Sequence, residues 1–515
     1  MSEHNQGPLA CQRFKVVASD GALVTRIGMA SGQTTRLPTG SIVTIAQVSQ
    51  DGQSVRISSP SGWVALADLA AEAPEPGFAL DYPTFEANNL RVERGDFYGL
   101  EFPFTMEQLE EAGPDFLTQA FRAAGTISAD NAVTQIVSLT PLGIMGASEN
   151  AFLTVAYARQ EPGLSAELFI KFPPLSPGHK FALSAQSRNE VALLRFSRNG
   201  ILPVPVARYY FADYCQATTN YIVITDRVAF GKEPIEPAYR KAQDHMIPAV
   251  EEHYKVLAQS LARLVAAHKT GALGREIEAL FPYAGARRVF FPIQEPAAAV
   301  DKLIDFVGRI APHLFVEGAA DPAFLEQWRD DLLFGIEHEH TVIDYLHADV
   351  DYVGLCHPNL NVDNAWYWRD EAGKLHCGLL DWGGAGQLSF GQALGGMLMM
   401  PEPERHLTIV RDSIETFASE YEAITGLILD REKLEFHYKA SLYSTAVCYI
   451  VGIVVHMFAQ FSEAEWKSMA NRFDNRLIEG GLSAGVIWLD NILREWKHGL
   501  MPGEACRRIV AGTAP

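Results

Sequence analysis

Three textures of apolar and polar positions succeed one another along the chain. From Phe14 to Leu69 the apolar residues come in short β-prone runs: Phe14-Lys15-Val16-Val17, Ser41-Ile42-Val43-Thr44-Ile45 and Ser54-Val55-Arg56-Ile57. Gly- and Asp-containing turns at Asp20-Gly21 and Asp51-Gly52 divide them. Such runs between such turns predict a small all-β unit. Pro74, Pro76, Gly77 and Pro83 then crowd together, which predicts a semi-extended linker. Thr105-Met106-Glu107-Gln108 has capping-box spacing and predicts a helix running to about Ala124.

The second texture, roughly 126 to 230, is strand-rich. Residues 151–157 and 167–172 read as paired strands, and Tyr221-Ile222-Val223-Ile224 as a buried strand. Between them a helix is expected from Arg188 to Asn199, with Val191, Leu194 and Phe196 among charged residues. The third texture, from about 238 onward, is mostly helical. Leu257, Leu261, Leu264 and His268 share one helix face, and Gly271 is a plausible stop. The expected organisation is a tail (1–11), the β-unit (12–70), a linker (71–84), a strand-rich lobe with leading helices (85–230), a helical lobe (231–505) and a short tail (506–515). No internal repeat or low-complexity tract interrupts it.

Length and charge narrow the function classes. A chain of 515 residues is too long for one ordinary core, so two or three folded units are expected. The formal net charge of -20 disfavours nucleic acid as a partner. The six cysteines are widely spread, with no C-x-x-C pair, which fits a reducing cytoplasmic setting better than a disulfide framework or a zinc ribbon. The first residues show no secretory pattern. Residues 440–461 are long and apolar enough to suit a bilayer, but they carry Ser441, Ser444, Thr445, His456 and Gln460 and lack flanking positive clusters. A buried helix is the favoured expectation, with no membrane partner.

The stretch from Leu355 to Gly386 is the richest in chemistry. Residues 365–368 and 375–380 have strand character with a turn between them, so a loop leads into a hairpin that returns to Asp381. That path brings Asn364 and Asp381 together. A carboxylate and an amide oxygen suit Mg²⁺, a hard ion that prefers oxygen ligands and nucleotide phosphates.

These residues resemble the aminoglycoside phosphotransferase and ecdysteroid-kinase-like (choline-kinase-like) family. Its catalytic loop reads H-G-D-x-x-x-x-N, followed by a hairpin and then D-W or D-F. Here His357 matches the histidine, Asn364 the metal-binding asparagine, and Asp381-Trp382-Gly383 the second metal site. The resemblance implies an α+β, two-lobed protein-kinase-like fold that binds ATP and Mg²⁺. It implies that Lys171, ending the run E-L-F-I-K, meets the nucleotide phosphates and pairs with Glu190. It further implies a phosphate-covering turn around Gly143 and Gly146, and an adenine-binding hinge at Thr225, Asp226 and Arg227. The β-unit is similar to a bacterial-type SH3-like barrel, through the Leu37-Pro38-Thr39-Gly40 turn and Gly62-Trp63-Val64. A peptide or protein partner for it, or no binding role at all, both remain open.

The chain departs from the family at one decisive position. Asn359 stands where the catalytic aspartate belongs, and Pro358 replaces the glycine. An amide cannot take a proton at neutral pH, although its oxygen can accept a hydrogen bond. The expected function is an ATP- and Mg²⁺-dependent transfer of phosphate to a hydroxyl of a small molecule, slowed by loss of the base. The alternative is a nucleotide-binding pseudokinase with a regulatory or scaffolding role; transfer of AMP is a third. The nearby Asp363, four residues on in the loop, could substitute as base only with a different substrate approach. Asp349 and Asp351 are either solvated carboxylates or contacts for a cationic substrate. The acceptor itself is not legible in the motif.

Overall fold

The computed structural model describes residues 12–515 except 27–32, 73–81, 146–147, 175, 284–292, 294, 444–449, 455–457 and 500–501. Most of the expected linker, residue Gly146 and parts of 440–461 therefore lie outside the described residues.

The first unit is a seven-stranded sheet in the order β3-β2-β6-β5-β4-β1-β7. Its strands are β1 (Arg13–Val16), β2 (Ala22–Arg26), β3 (Thr34–Leu37), β4 (Ile42–Val48), β5 (Ser54–Ile57), β6 (Gly62–Ala65) and β7 (Leu69–Ala71). Alternating residues such as Val16, Val24, Val43, Ile45, Val55, Ile57 and Val64 point inward to a core of their own. The three predicted runs became β1, β4 and β5; β2, β3 and β7 were not predicted from the sequence.

The helix α1 (Tyr82–Asn88) precedes α2 (Met106–Ala124). Thr105 caps α2 as expected, its hydroxyl oxygen accepting the Gln108 N–H at 3.3 Å. The Gln108 side chain reaches back one residue further than a capping box requires, accepting from Phe104 N–H at 2.9 Å. A five-stranded antiparallel sheet follows in the order β11-β12-β10-β9-β8. It comprises β8 (Val133–Met145), β9 (Ser148–Tyr157), β10 (Glu167–Phe172), β11 (Tyr209–Tyr214) and β12 (Tyr221–Asp226). α3 (Pro177–Ala182) leads into α4 (Ser184–Ser197), which packs on β11 and β12. β12 is the buried strand expected, and β9 and β10 pair from Glu167↔Thr154 to Phe172↔Glu149.

The rest is mainly helical. α5 (Val250–Thr270) carries the predicted apolar face, and Gly271 ends it in the left-handed region at φ 78°. After α6 (Ile277–Leu280), α7 (Pro296–Asp305), α8 (Pro322–Glu337) and α9 (Glu339–Ala348) come two small ribbons. β13 (Val353–Cys356) pairs with β16 (Gly386–Ser389), and β14 (Ala365–Arg369) with β15 (Leu375–Leu379). α10 (Phe390–Met397), α11 (His406–Thr425) and α12 (Arg431–Ser441) surround them, α11 packing along α5. No helix among the described residues is long and apolar enough to cross a membrane. Cys215, Cys356, Cys377 and Cys506 are buried thiols outside any disulfide.

Candidate active site

Sequence order brings a lysine on β10, a glutamate on α4 and an aspartate after β15 to one point. Lys171 Nζ lies 3.0 and 2.8 Å from the two carboxylate oxygens of Glu190 and 2.8 Å from Asp381 Oδ1. Burial opposes a charge on Lys171, but Asp381 and Glu190 outweigh it and raise its pKa. Lys171 in turn depresses the Asp381 carboxyl to about 2. Burial raises Glu190, against the pull of Lys171. The Asp381 side chain keeps 45% of its surface exposed, whereas Lys171 and Glu190 keep 14% and 7%. The charge thus presented to solvent is the one a cation would meet. Asp381 also sits at φ 53°, unusual for a non-glycine residue. Such a conformation persists only where its surroundings over-determine it.

Those surroundings are supplied by α4. Gly384 N–H donates to the Gln186 carbonyl at 3.2 Å, and Asn189 Nδ2 donates to the Ala385 carbonyl at 2.9 Å. Gln186, Asn189 and Glu190 stand three and four residues apart, on one face of the helix. Sequence reasoning named only Glu190; Gln186 contributes a backbone carbonyl, which no side-chain pattern marks, and Asn189 is a polar residue of a common type.

The loop from His357 to Asn364 runs between β13 and β14. His357 is fully buried, and burial lowers its pKa. Its Nδ1 accepts the Asn359 N–H at 3.2 Å, so its proton sits on Nε2, 2.9 Å from the Leu380 carbonyl. The ring also packs against buried Trp382, centroids 4.9 Å apart. His357 ties the loop to the segment carrying Asp381 as a neutral ring. Asn364 Nδ2 donates to the Asn359 carbonyl at 2.7 Å, which leaves its amide oxygen to other partners. Its backbone carbonyl accepts Leu380 N–H at 2.8 Å, so the hairpin joins Asn364 and the Asp381 segment as the pattern required. The side-chain oxygen of Asn359 accepts a hydrogen bond from Asn361 Nδ2. Asn361, fully buried, was not anticipated.

The remaining expected site residues divide. Gly143 lies in the register irregularity of β8 between Pro141 and Ile144. Thr225, Asp226 and Arg227 stand at the end of β12, beside the strand of Lys171. The Asp226 and Arg227 N–H groups are spent inside the chain, on the carbonyls of Arg208 (2.8 Å) and Glu167 (3.2 Å). Asp363 faces Lys241 at 3.6 Å, and burial raises its pKa. Asp349 and Asp351 are both ion-paired, the first with Lys433 at 2.6 Å and the second with Arg56, and Asp351 keeps 44% of its side chain exposed. Both sit at the start of β13, where packing of α12 and the β-unit brings cations that sequence could not place. Among the described residues no group of three or more histidine, cysteine or acidic side chains forms a metal cluster. An oxygen pair such as Asp381 with Asn364 lies outside that pattern.

No family model matches the sequence, and no curated protein matches it. Solved structures similar to it include an ethanolamine kinase from Plasmodium vivax, 13% identical over 70% of this chain and 85% of that one, TM-score 0.36. A choline/ethanolamine kinase family protein from Mesorhizobium loti is 14% identical over 76% and 98%, TM-score 0.32. The GDP complex of wild-type aminoglycoside 2'-phosphotransferase-IIIa is 15% identical over 70% and 94%, TM-score 0.35.

Proposed function

We propose that this chain binds a nucleoside triphosphate with Mg²⁺ between the strand-rich and helical lobes and transfers a phosphoryl group to a hydroxyl of a small molecule. The observation that carries it is the single point at which Lys171, Glu190 and Asp381 meet, with the Asn364 loop fastened beside it. The donor set fits the group: an ammonium for phosphate oxygens, a depressed carboxylate and an amide oxygen for a hard divalent ion. The bound nucleotide supplies the phosphoryl group, and its metal offsets phosphate charge. Lys171 would hold the phosphates, Glu190 would hold Lys171, and Asp381 with Asn364 would hold the metal. Backbone groups of the Thr225–Arg227 segment, other than the two committed N–H groups, would meet the base. Gly143, together with Gly146, would bring backbone near the phosphates.

Asn359 would orient an attacking hydroxyl but could not take its proton. Phosphoryl transfer has a loose transition state governed mostly by positioning and electrostatics, so the loss need not abolish activity. One observation favours the second reading, a nucleotide-binding pseudokinase: the Asn359 amide oxygen is already engaged by Asn361. Titration calorimetry of the full chain with ATP, with and without Mg²⁺, tests the shared premise; absence of binding in both would refute it. Turnover of the purified protein with product identification separates phosphotransferase from pseudokinase.

A further inference from the structure

The β-unit does not hang from the lobes by its linker alone. Ser58, directly after β5, donates to Gln387 Oε1 at 2.7 Å, and both side chains are buried. Gln387 lies on β16, directly opposite Leu355 of β13, two residues before His357. Its Nε2 is fixed in turn by Glu278 and the Phe281 carbonyl, each at 2.7 Å. Arg56 pairs with Asp351 at the entry to β13. Ser59 Oγ donates to the His268 carbonyl at 2.6 Å, and Ser61 N–H to the Lys269 carbonyl at 2.9 Å. Lys269, wholly buried, reaches the Val350 and Val353 carbonyls at 2.7 and 3.0 Å. Ala46 of β4 closes the contact by packing with Tyr283, Val350 and Val353.

These bonds converge on one ribbon. β13 runs straight into the loop of His357, Asn359 and Asn364, and β16 runs directly out of the turn that follows Asp381. We infer that the N-terminal β-unit is a positioning element of the site. It sets the β13–β16 ribbon, and through it the separation of the His357–Asn364 loop from Asp381, with Arg56 and Ser58 as its positioning residues. Polar groups serve this purpose better than an apolar patch. A buried hydrogen bond is directional, and its loss strands the partner, so the ribbon has one favoured seat. The inference rests on the phosphotransfer reading for what the loop does, but not for what holds it.

The test uses the full chain, comparing wild type with the Arg56→Ala/Ser58→Val double variant by hydrogen exchange and by Mg-ATP titration. Amides of residues 353–364 and 382–389 should exchange about tenfold faster, the size expected when a buried hydrogen-bond partner is lost, with α5 unchanged. Nucleotide affinity should weaken several-fold alongside. Arg56→Lys, which keeps the charge, should move both least, and Thr39→Val on the far turn of the β-unit should move neither. Should the double variant fail to fold, Ser58→Ala and Asp351→Asn singly give the same readout. Unchanged exchange at 353–364, while β5 itself loosens, would make the β-unit a passive appendage and overturn the inference. A loosened loop in a protein that binds no nucleotide would instead uphold the positioning role and refute the phosphotransfer reading.

Discussion

Lys171, Glu190 and Asp381 meet as charged groups, whereas the facing loop from His357 to Asn364 is tied to itself and to the Asp381 segment by amides and one neutral imidazole, its one carboxylate, Asp363, pairing with Lys241. The charged side keeps a half-exposed carboxylate in a left-handed backbone conformation, fastened by α4. The neutral side spends its polar atoms on itself: Asn361 on Asn359, Asn364 on the Asn359 carbonyl, His357 between Asn359 and Leu380. On the reading proposed above, the charged wall would hold a phosphate and its metal, and the amide at position 359 would leave the facing loop without the usual proton acceptor.

The strongest way to break that contrast is to put a charge on the neutral side. Asn359→Asp should raise phosphotransfer or basal nucleotide hydrolysis by ~10²- to 10⁴-fold, the worth of general-base help. Asn361 Nδ2 can donate to a carboxylate as it does to the amide, so the loop keeps its tie. Steady-state rates with product identification decide it. A rate that falls from an efficient wild type would mean the amide has a role of its own. Little restoration would favour the pseudokinase.

Removing charge from the other wall comes next. Asp381→Ala should weaken Mg-dependent nucleotide binding by at least about tenfold, because the metal would lose its charged ligand and Lys171 is left with Glu190 alone. Calorimetry with and without Mg²⁺ reads it; unchanged affinity would leave Asp381 a purely structural residue.

A smaller effect tests how closely the neutral loop is seated. A Cβ on Gly396 of α10 would lie 1.8 Å from the Pro358 carbonyl oxygen. Gly396→Ala should therefore push the loop away and cost about 1–3 kcal/mol, the usual range for overpacking, read as a lowered Tm. A fully stable variant would show that the loop yields freely.

The smallest signal is a slope. Burial raises the Glu278 carboxyl, behind the β13–β16 ribbon, to about 7 from an ordinary 4.5. Between those values the folded state holds a proton that the unfolded state has released. Stability contributed at this position therefore falls as pH rises from about 4.5 to 7 and is level above. Buried Asp244, raised to about 7 by burial, slopes the same way. Glu278→Gln should flatten only part of the dependence of denaturation midpoint on pH. An unaltered slope would mean Glu278 stays ionised in the fold.

Much of the charged wall was legible in the chain, because each member belongs to a local pattern. Lys171 lies on an apolar strand, Glu190 on a helix, and Asp381 follows a hairpin that begins after Asn364 of the facing loop. Periodicity also located α5 and its glycine stop, and the capping spacing located α2. The latch of Asn189 onto Ala385 and the bond of Asn361 to Asn359 were not read. Polar side chains of those types are common, and nothing local says which are buried. The ion pairs of Asp349 and Asp351 were not read for the same reason: their cations come from Lys433 and Arg56, far away in sequence.

By itself the sequence determined the alternation of strand and helix, the order of the ionisable residues, and the amide at position 359. These follow from backbone propensity and residue chemistry, which act over a few neighbours. Only the tertiary structure decided that Lys171 touches both carboxylates, that His357 is a neutral tie, and that the β-unit seats against the ribbon leading to the loop. The Arg56–Asp351 and Ser58–Gln387 pairs join positions 295 and 329 residues apart. Such pairings exist only once the whole core has excluded water and fixed which polar groups must satisfy one another.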